Sequence, residues 1–186
     1  MRTLIDQIEN SLGSGAYYLS LFGALAIPDI AGALSSENGE ASGKKYAEWH
    51  EEWVRPRFAE AVRASVPEHA RQYMQDMHME SPLTGDACYK FRCSLLHQGS
   101  SQHPKSPYSR IIFIEPGATT NVIHYSQLND ALCIDLNLFC REVTSGARLW
   151  LQAAEKMPLY QKNYERFARR HANGLTPYIG GVPVIG

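Results

Sequence analysis

Cysteine is scarce. Four thiols, Cys88, Cys93, Cys133 and Cys140, are spread through 186 residues without the close pairs that a disulfide framework or a zinc knuckle needs. A bias of charge is also missing, since 18 Lys and Arg against 19 Asp and Glu leave a net charge of -1. That excludes a uniformly basic protein that coats nucleic acid, while leaving room for a local basic patch. No leader-like start is visible: MRTLIDQIEN carries Asp6 and Glu9 where a signal peptide has a basic start and an apolar run. The longest apolar stretch, Leu19 to Leu34, is interrupted by Pro28 and Asp29. It falls short of the roughly 20 residues that span a bilayer, so a buried helix followed by a turn is expected there. Internal repeats and low-complexity segments are absent. These absences point to a cytoplasmic chain with reduced thiols and no membrane span.

What is present suits one folded unit. Hydrophobic residues make up 44% and charged residues 20%, an ordinary globular balance. At this length a single core buries roughly 70% of the unfolded chain's surface. Charge is uneven along the chain: residues 1–43 carry -4, 44–110 carry +2, 111–140 carry -3 and 141–186 carry +4. Acidic and basic segments could face one another, or simply be solvated faces.

Apolar spacing predicts a helix over 2–27, with Gly13-Ser14-Gly15 as a break and Pro28 as its end. A turn-rich stretch follows from Ser35 to Gly43. A second helix is expected from Lys44 to about Ala64, kinked or split at Pro56. A short one starts near Pro67 and reaches about Met79. Ser81-Pro82-Leu83-Thr84 starts the next, with Asp86 in its first turn, an end near His97 and Gly99 as a left-handed stop. Arg110–Glu115 and Val122–Ser126 read as a β-hairpin around PGATTN. A long helix runs from Asp130 to about Glu155, and after Pro158 a helix from Leu159 to about Ala172. The fold class is therefore mainly α, a helical bundle with one inserted hairpin near 110–126. The single domain covers 1–172, followed by an extended Gly/Pro-rich tail over 173–186.

One segment concentrates chemistry: CYKFRCSLLHQG, Cys88 to Gly99. It places Arg92 and His97 at the end of one helix, about 140° apart around the axis. They do not share a face, although a guanidinium stem can swing towards the imidazole. Two such helices at a two-fold axis would gather two Arg and two His. Arg stays charged and grips two phosphate oxygens at once. Imidazole moves protons near neutral pH. A core-facing helix with both groups as plain surface residues is the bland alternative. Elsewhere, Cys93 and His97 could form a thiol–imidazole dyad, disfavoured because no third group orients it, and Cys88, Cys93, His97 and His103 a zinc site, disfavoured by spacing. His69 and His78 read as surface groups. Tyr17, Tyr18, Trp49, Trp53 and Trp150 read as core rather than base-stacking platforms. Asp29 reads as a cap rather than a cleft residue. Arg166, Arg169 and Arg170 read as a solvated basic face of the last helix, with an RNA-backbone patch as the alternative.

The pattern Tyr89-Lys90-x-Arg92-x-Ser94-Leu95-x-His97-x-Gly99 at a helix end resembles the signature of HEPN domains, an Arg, four to six residues, then His. The element order, with helices before the motif and a long one after it, is similar too. The resemblance implies a HEPN-like helical bundle that forms a homodimer and binds RNA. It implies a metal-independent endoribonuclease that needs no cofactor and leaves 2′,3′-cyclic phosphate ends. Arg92 and His97 would be catalytic, and Lys90, Arg92 and Ser94 would contact RNA. One position departs: active relatives usually carry Asn or Asp after the Arg, and here stands Cys93. Two other readings stay open. One is a non-catalytic homodimeric interaction module; the other is a toxin or phage-defence component neutralised or regulated by a partner protein.

Overall fold

In the computed structural model, which describes residues 1–65, 67–71, 79–121 and 123–186, the expected glycine break separates α1 (Arg2–Gly13) from α2 (Tyr17–Leu34). Gly15 sits there in the left-handed region at φ 80. Pro28 does not end α2; the helix continues through it to Leu34. An internal proline costs about 3 kcal/mol. Ile27, Pro28, Ala31 and Leu34 are all buried, and a buried aliphatic side chain returns about 1.5–3 kcal/mol. Core burial therefore outweighs the local rule. By length and composition α2 could cross a membrane, but half of it is packed inside the fold.

α3 (Gly43–Trp49), a π-helical turn (His50–Val54) and α4 (Arg55–Ser65) form the second expected helix without a gap. The wide turn stands just before Pro56, whose missing N–H removes one helical bond. α5 (Glu68–Arg71) follows. The expected continuation to Met79, with His78, lies over 72–78, outside the described residues; His69 is exposed. α6 (Gly85–Gln98) has the expected limits.

Helix accounts for 54% of the chain, so the class is mainly α. The expected hairpin is corrected. β1 (Arg110–Ile114) pairs in parallel with β3 (Ala131–Asp135), Arg110 opposite Ala131 and Ile114 opposite Asp135. β2 (Ser126–Leu128) forms the antiparallel hairpin with β3 instead. The sheet order is β1-β3-β2, and Asn129 turns the chain at φ 53, a conformation Asn tolerates. Residues 131–135 are thus strand, not the start of the long helix. Leu132, Cys133 and Ile134 are all buried, so the central strand lacks the alternation that marks a half-exposed one. α7 (Leu136–Ala154) starts after it, capped by Asp135, whose side chain accepts the Leu138 N–H at 2.9 Å.

α7 buries Leu136, Phe139, Val143, Ala147 and Leu151 against α1, α2 and the π turn. Gly146 permits the last contact, since a Cβ there would lie 2.3 Å from the Trp53 carbonyl oxygen. Trp49 and Trp150 meet edge to face in this core, as the spacing predicts. α8 (Pro158–Tyr164) stops well short of Ala172. Arg169 instead exchanges two backbone hydrogen bonds with Gly186. β4 (Arg170–His171) pairs with β7 (Val184–Ile185), and β5 (Gly174–Leu175) with β6 (Ile179–Gly180). The tail therefore folds into two small antiparallel pairs, and Arg166, Arg169 and Arg170 do not share a helix.

Candidate functional site at the end of α6

α6 is held at both ends. Thr84 accepts the Ala87 N–H at 3.2 Å. The Glu51 carboxylate accepts the Gly85 N–H at 2.6 Å while Arg55 grips its other oxygen at 2.8 Å. These bonds hold the Glu51 carboxyl below its ordinary range, against the opposing effect of burial. Gly85 lets the helix press onto α3, because a Cβ would lie 2.3 Å from the Ala47 carbonyl oxygen. At the other end Gly99 takes φ 66, and its N–H bonds the Leu95 carbonyl at 2.9 Å. The final turn that carries His97 is therefore a defined stop.

Within this frame Arg92 Nη1 lies 3.0 Å from His97 Nε2. The guanidinium stem closes the 140° gap between them. Because Arg only donates, the contact makes Nε2 the acceptor and puts the imidazole proton on Nδ1. His97 is exposed. The Arg92 side chain is only 20% exposed, because its Nε stands 2.6 Å from Asp29 Oδ2, itself 17% exposed. The N–H does not aim at that oxygen, so this is a charge pair rather than a directed hydrogen bond. Burial lifts the Asp29 carboxyl above its ordinary range, against the pull of Arg92 and His97. Asp29 is thus no cap. It lies inside α2 and lines the Arg92 site, the less favoured of its two sequence readings.

The other motif residues divide. Lys90 is near the surface and pairs with Asp86 one turn earlier. Ser94 is 1% exposed and its hydroxyl has no partner, so it cannot reach a ligand at the surface. Cys88 is buried against the Tyr46 hydroxyl at 3.4 Å, and burial pushes its thiol up to about 12. A thiol so rarely ionised is a packing group. Cys93 raises the Tyr89 hydroxyl above its usual range. Among the described residues no three His, Cys, Asp or Glu are placed to hold a metal ion.

A second constellation escaped the sequence reading. Tyr125 donates to Glu142 Oε2 at 2.6 Å, and His124 Nε2 lies 3.1 Å from Glu142 Oε1. The His124 and Glu142 side chains are each 5% exposed. Tyr125 holds φ 55, uncommon for a bulky residue. Its hydroxyl is pushed well above its ordinary range by burial and by Glu142. Phe58 packs on both rings. The one available signal was an acid, Glu142, on the apolar stripe of α7. No family model, no curated protein and no solved structure matches the chain.

Proposed function

We propose that the chain is a HEPN-like RNA-binding domain whose Arg92–His97 pair cuts RNA without a metal ion. The observation that carries this reading is the 3.0 Å contact between Arg92 Nη1 and the exposed His97 Nε2. It brings a fixed two-pronged cation and a proton-transfer group to one point on the surface.

In the free protein the guanidinium occupies Nε2. An RNA phosphate beside the pair would take up the guanidinium donors and release that nitrogen. The 2′-hydroxyl then attacks its own phosphorus and loses its proton. The bond from phosphorus to the 5′-oxygen breaks, and that oxygen takes up a proton. The products are a 2′,3′-cyclic phosphate and a 5′-hydroxyl. Arg92 offsets charge on the phosphoryl oxygens, and imidazole proton transfer is worth roughly 10²–10⁴-fold. In a homodimer with the two α6 ends at the two-fold axis, one His97 serves each proton. Asp29 holds the Arg92 stem, so the guanidinium is a positioned group rather than a free one.

The test is cleavage of a ribo-oligonucleotide in excess chelator, with analysis of the new ends. Cutting that leaves 2′,3′-cyclic phosphate, and that stops when a 2′-deoxynucleotide replaces the cut position, supports the reading. An RNA left intact by a folded protein favours the non-catalytic module. The Asp29 charge pair favours that second reading, because it occupies one edge of Arg92. Cys93→Asn separates the two, since restoring the polar neighbour raises the rate only in a nuclease.

A further inference from the structure

We propose that the cavity between the start of α1, the end of α7 and α8 binds a small phosphomonoester, with Arg2, Lys156 and Arg169 as its cations and the Tyr164 hydroxyl as a donor. No residue of α6 lines this cavity. The site is therefore separate from the Arg92–His97 pair, and either proposal can fail alone.

The cavity has a volume of about 360 Å³, within the roughly 300–1,000 Å³ of small-ligand sites. Arg2 enters it from α1, Glu155 and Lys156 from the turn after α7, and Tyr160 and Tyr164 from α8, with buried Leu151 beneath. The aromatic wall is braced. Tyr160, Tyr164 and Phe167 stack nearly parallel, successive ring centres standing 5.3 Å apart. The Arg169 guanidinium lies 5.6 Å from the Tyr164 ring centre. Its backbone is tied to Gly186 there rather than continuing α8, so Arg169 is fixed beside this wall and is not one residue of a solvated helical face.

Two hydroxyls add neutral donors. The Met1 nitrogen donates to the Tyr164 hydroxyl oxygen at 3.2 Å, which leaves the Tyr164 O–H to donate in turn. The Tyr160 hydroxyl is pushed up to about 12, chiefly by burial, so it keeps its proton.

Charge complementarity selects the occupant. Among the described residues Glu155 is the one acid on the cavity wall, and Arg2 Nη2 already holds its Oε2 at 2.7 Å. Exposed Lys156 and Arg169 meet no carboxylate within ion-pair distance among the described residues. The Met1 amino group registers the excess: after burial, the charges of Arg2 and Arg169 pull its pKa below the ordinary 8.0. Three side-chain cations against one acid leave two positive charges, which a phosphomonoester dianion matches above its second pKa of about 6. A carboxylate would match one charge and offer two oxygens. Three terminal phosphate oxygens can accept from a guanidinium fork, an ammonium and a phenol together, and the remaining volume over Leu151 takes a small organic group.

The experiment is calorimetric titration of the full chain with glycerol 3-phosphate near neutral pH, beside glycerol and acetate at matched ionic strength. Wild type should bind the phosphomonoester and neither of the other two. Lys156→Gln and Arg169→Gln should each weaken binding about ten-fold, the loss of one charge-assisted hydrogen bond. Tyr164→Phe keeps the aromatic stack and should weaken it roughly three-fold or more. Lys162→Gln, an exposed cation of α8 outside the cavity, should change nothing. If Arg169→Gln fails to fold, Lys156→Gln, on an exposed side chain, still decides. The rise in Tm that the ligand gives wild type should shrink in that variant. Three results each overturn the site: no binding by wild type at millimolar ligand, equal binding of acetate, or glycerol 3-phosphate binding that Lys156→Gln leaves unchanged in folded protein.

Discussion

Two histidines of this chain each stand within hydrogen-bond distance of one charged group, with opposite surroundings. His97 is on the surface at a helix end, in contact with the cation Arg92. His124 is under Phe58, in contact with the anion Glu142. The exposed pair leaves a donor array and a proton carrier facing water, where a phosphate can compete for them. The buried trio offers no such opening. Its carboxylate already accepts from Tyr125, and the three groups tie residues 124–125 to α7. Similar chemical types therefore serve a surface in one place and the fold in the other, and burial decides which.

Breaking the buried trio should have the largest effect on stability. Glu142→Ala leaves Tyr125 and His124 without their acceptor, and should cost about 3 kcal/mol or more in urea unfolding. A loss below about 1 kcal/mol would place Glu142 outside the stabilising core. Next comes His50, fully buried in the π turn with neither ring nitrogen partnered. Burial lowers its pKa to about 4, so the unfolded chain binds a proton that the fold refuses. The stability this adds is complete above the ordinary value near 6.5. It is lost as the pH falls from there to about 4, to the extent of about 3 kcal/mol. His50→Met should flatten that part of the pH–stability profile.

At the surface pair, Arg92→Lys keeps the charge and loses the planar fork. It should slow cleavage about ten-fold or more in single-turnover assays, with stability shifted by less than the Glu142 variant. Lys90→Ala should do least. Its pairing with Asp86 is a helix-surface contact worth under about 0.5 kcal/mol. If Lys90 contacts an RNA phosphate, the slope of log affinity against log salt falls by about one.

The sequence carried α6 well because its limits are local. Thr84 and Gly99 act on their own neighbours, and the structure uses both. β3 was hidden for the opposite reason. Leu132 and Leu136 share helical spacing, and a strand buried on both faces shows no alternation to contradict it. The end of α8 at Tyr164 was illegible because Arg169, beyond it, pairs with Gly186, far along the chain. At the candidate site, Arg92 and His97 were visible from residue type and spacing. Asp29 was visible only as the second of two readings, a cleft residue behind a cap, because Pro28 suggested a helix end where tertiary burial keeps the helix intact. Tyr18, expected in the core, is 74% exposed, because apolar spacing records which face a ring occupies, not whether anything covers that face.

The central claim concerns His97, and its most direct measurement is the single-turnover cleavage rate of His97→Ala beside wild type in excess chelator, with unfolding followed on the same samples. The account predicts a rate at least 10²-fold lower and a stability within about 0.5 kcal/mol of wild type, since the ring is exposed. A variant that cuts RNA at the wild-type rate would contradict it.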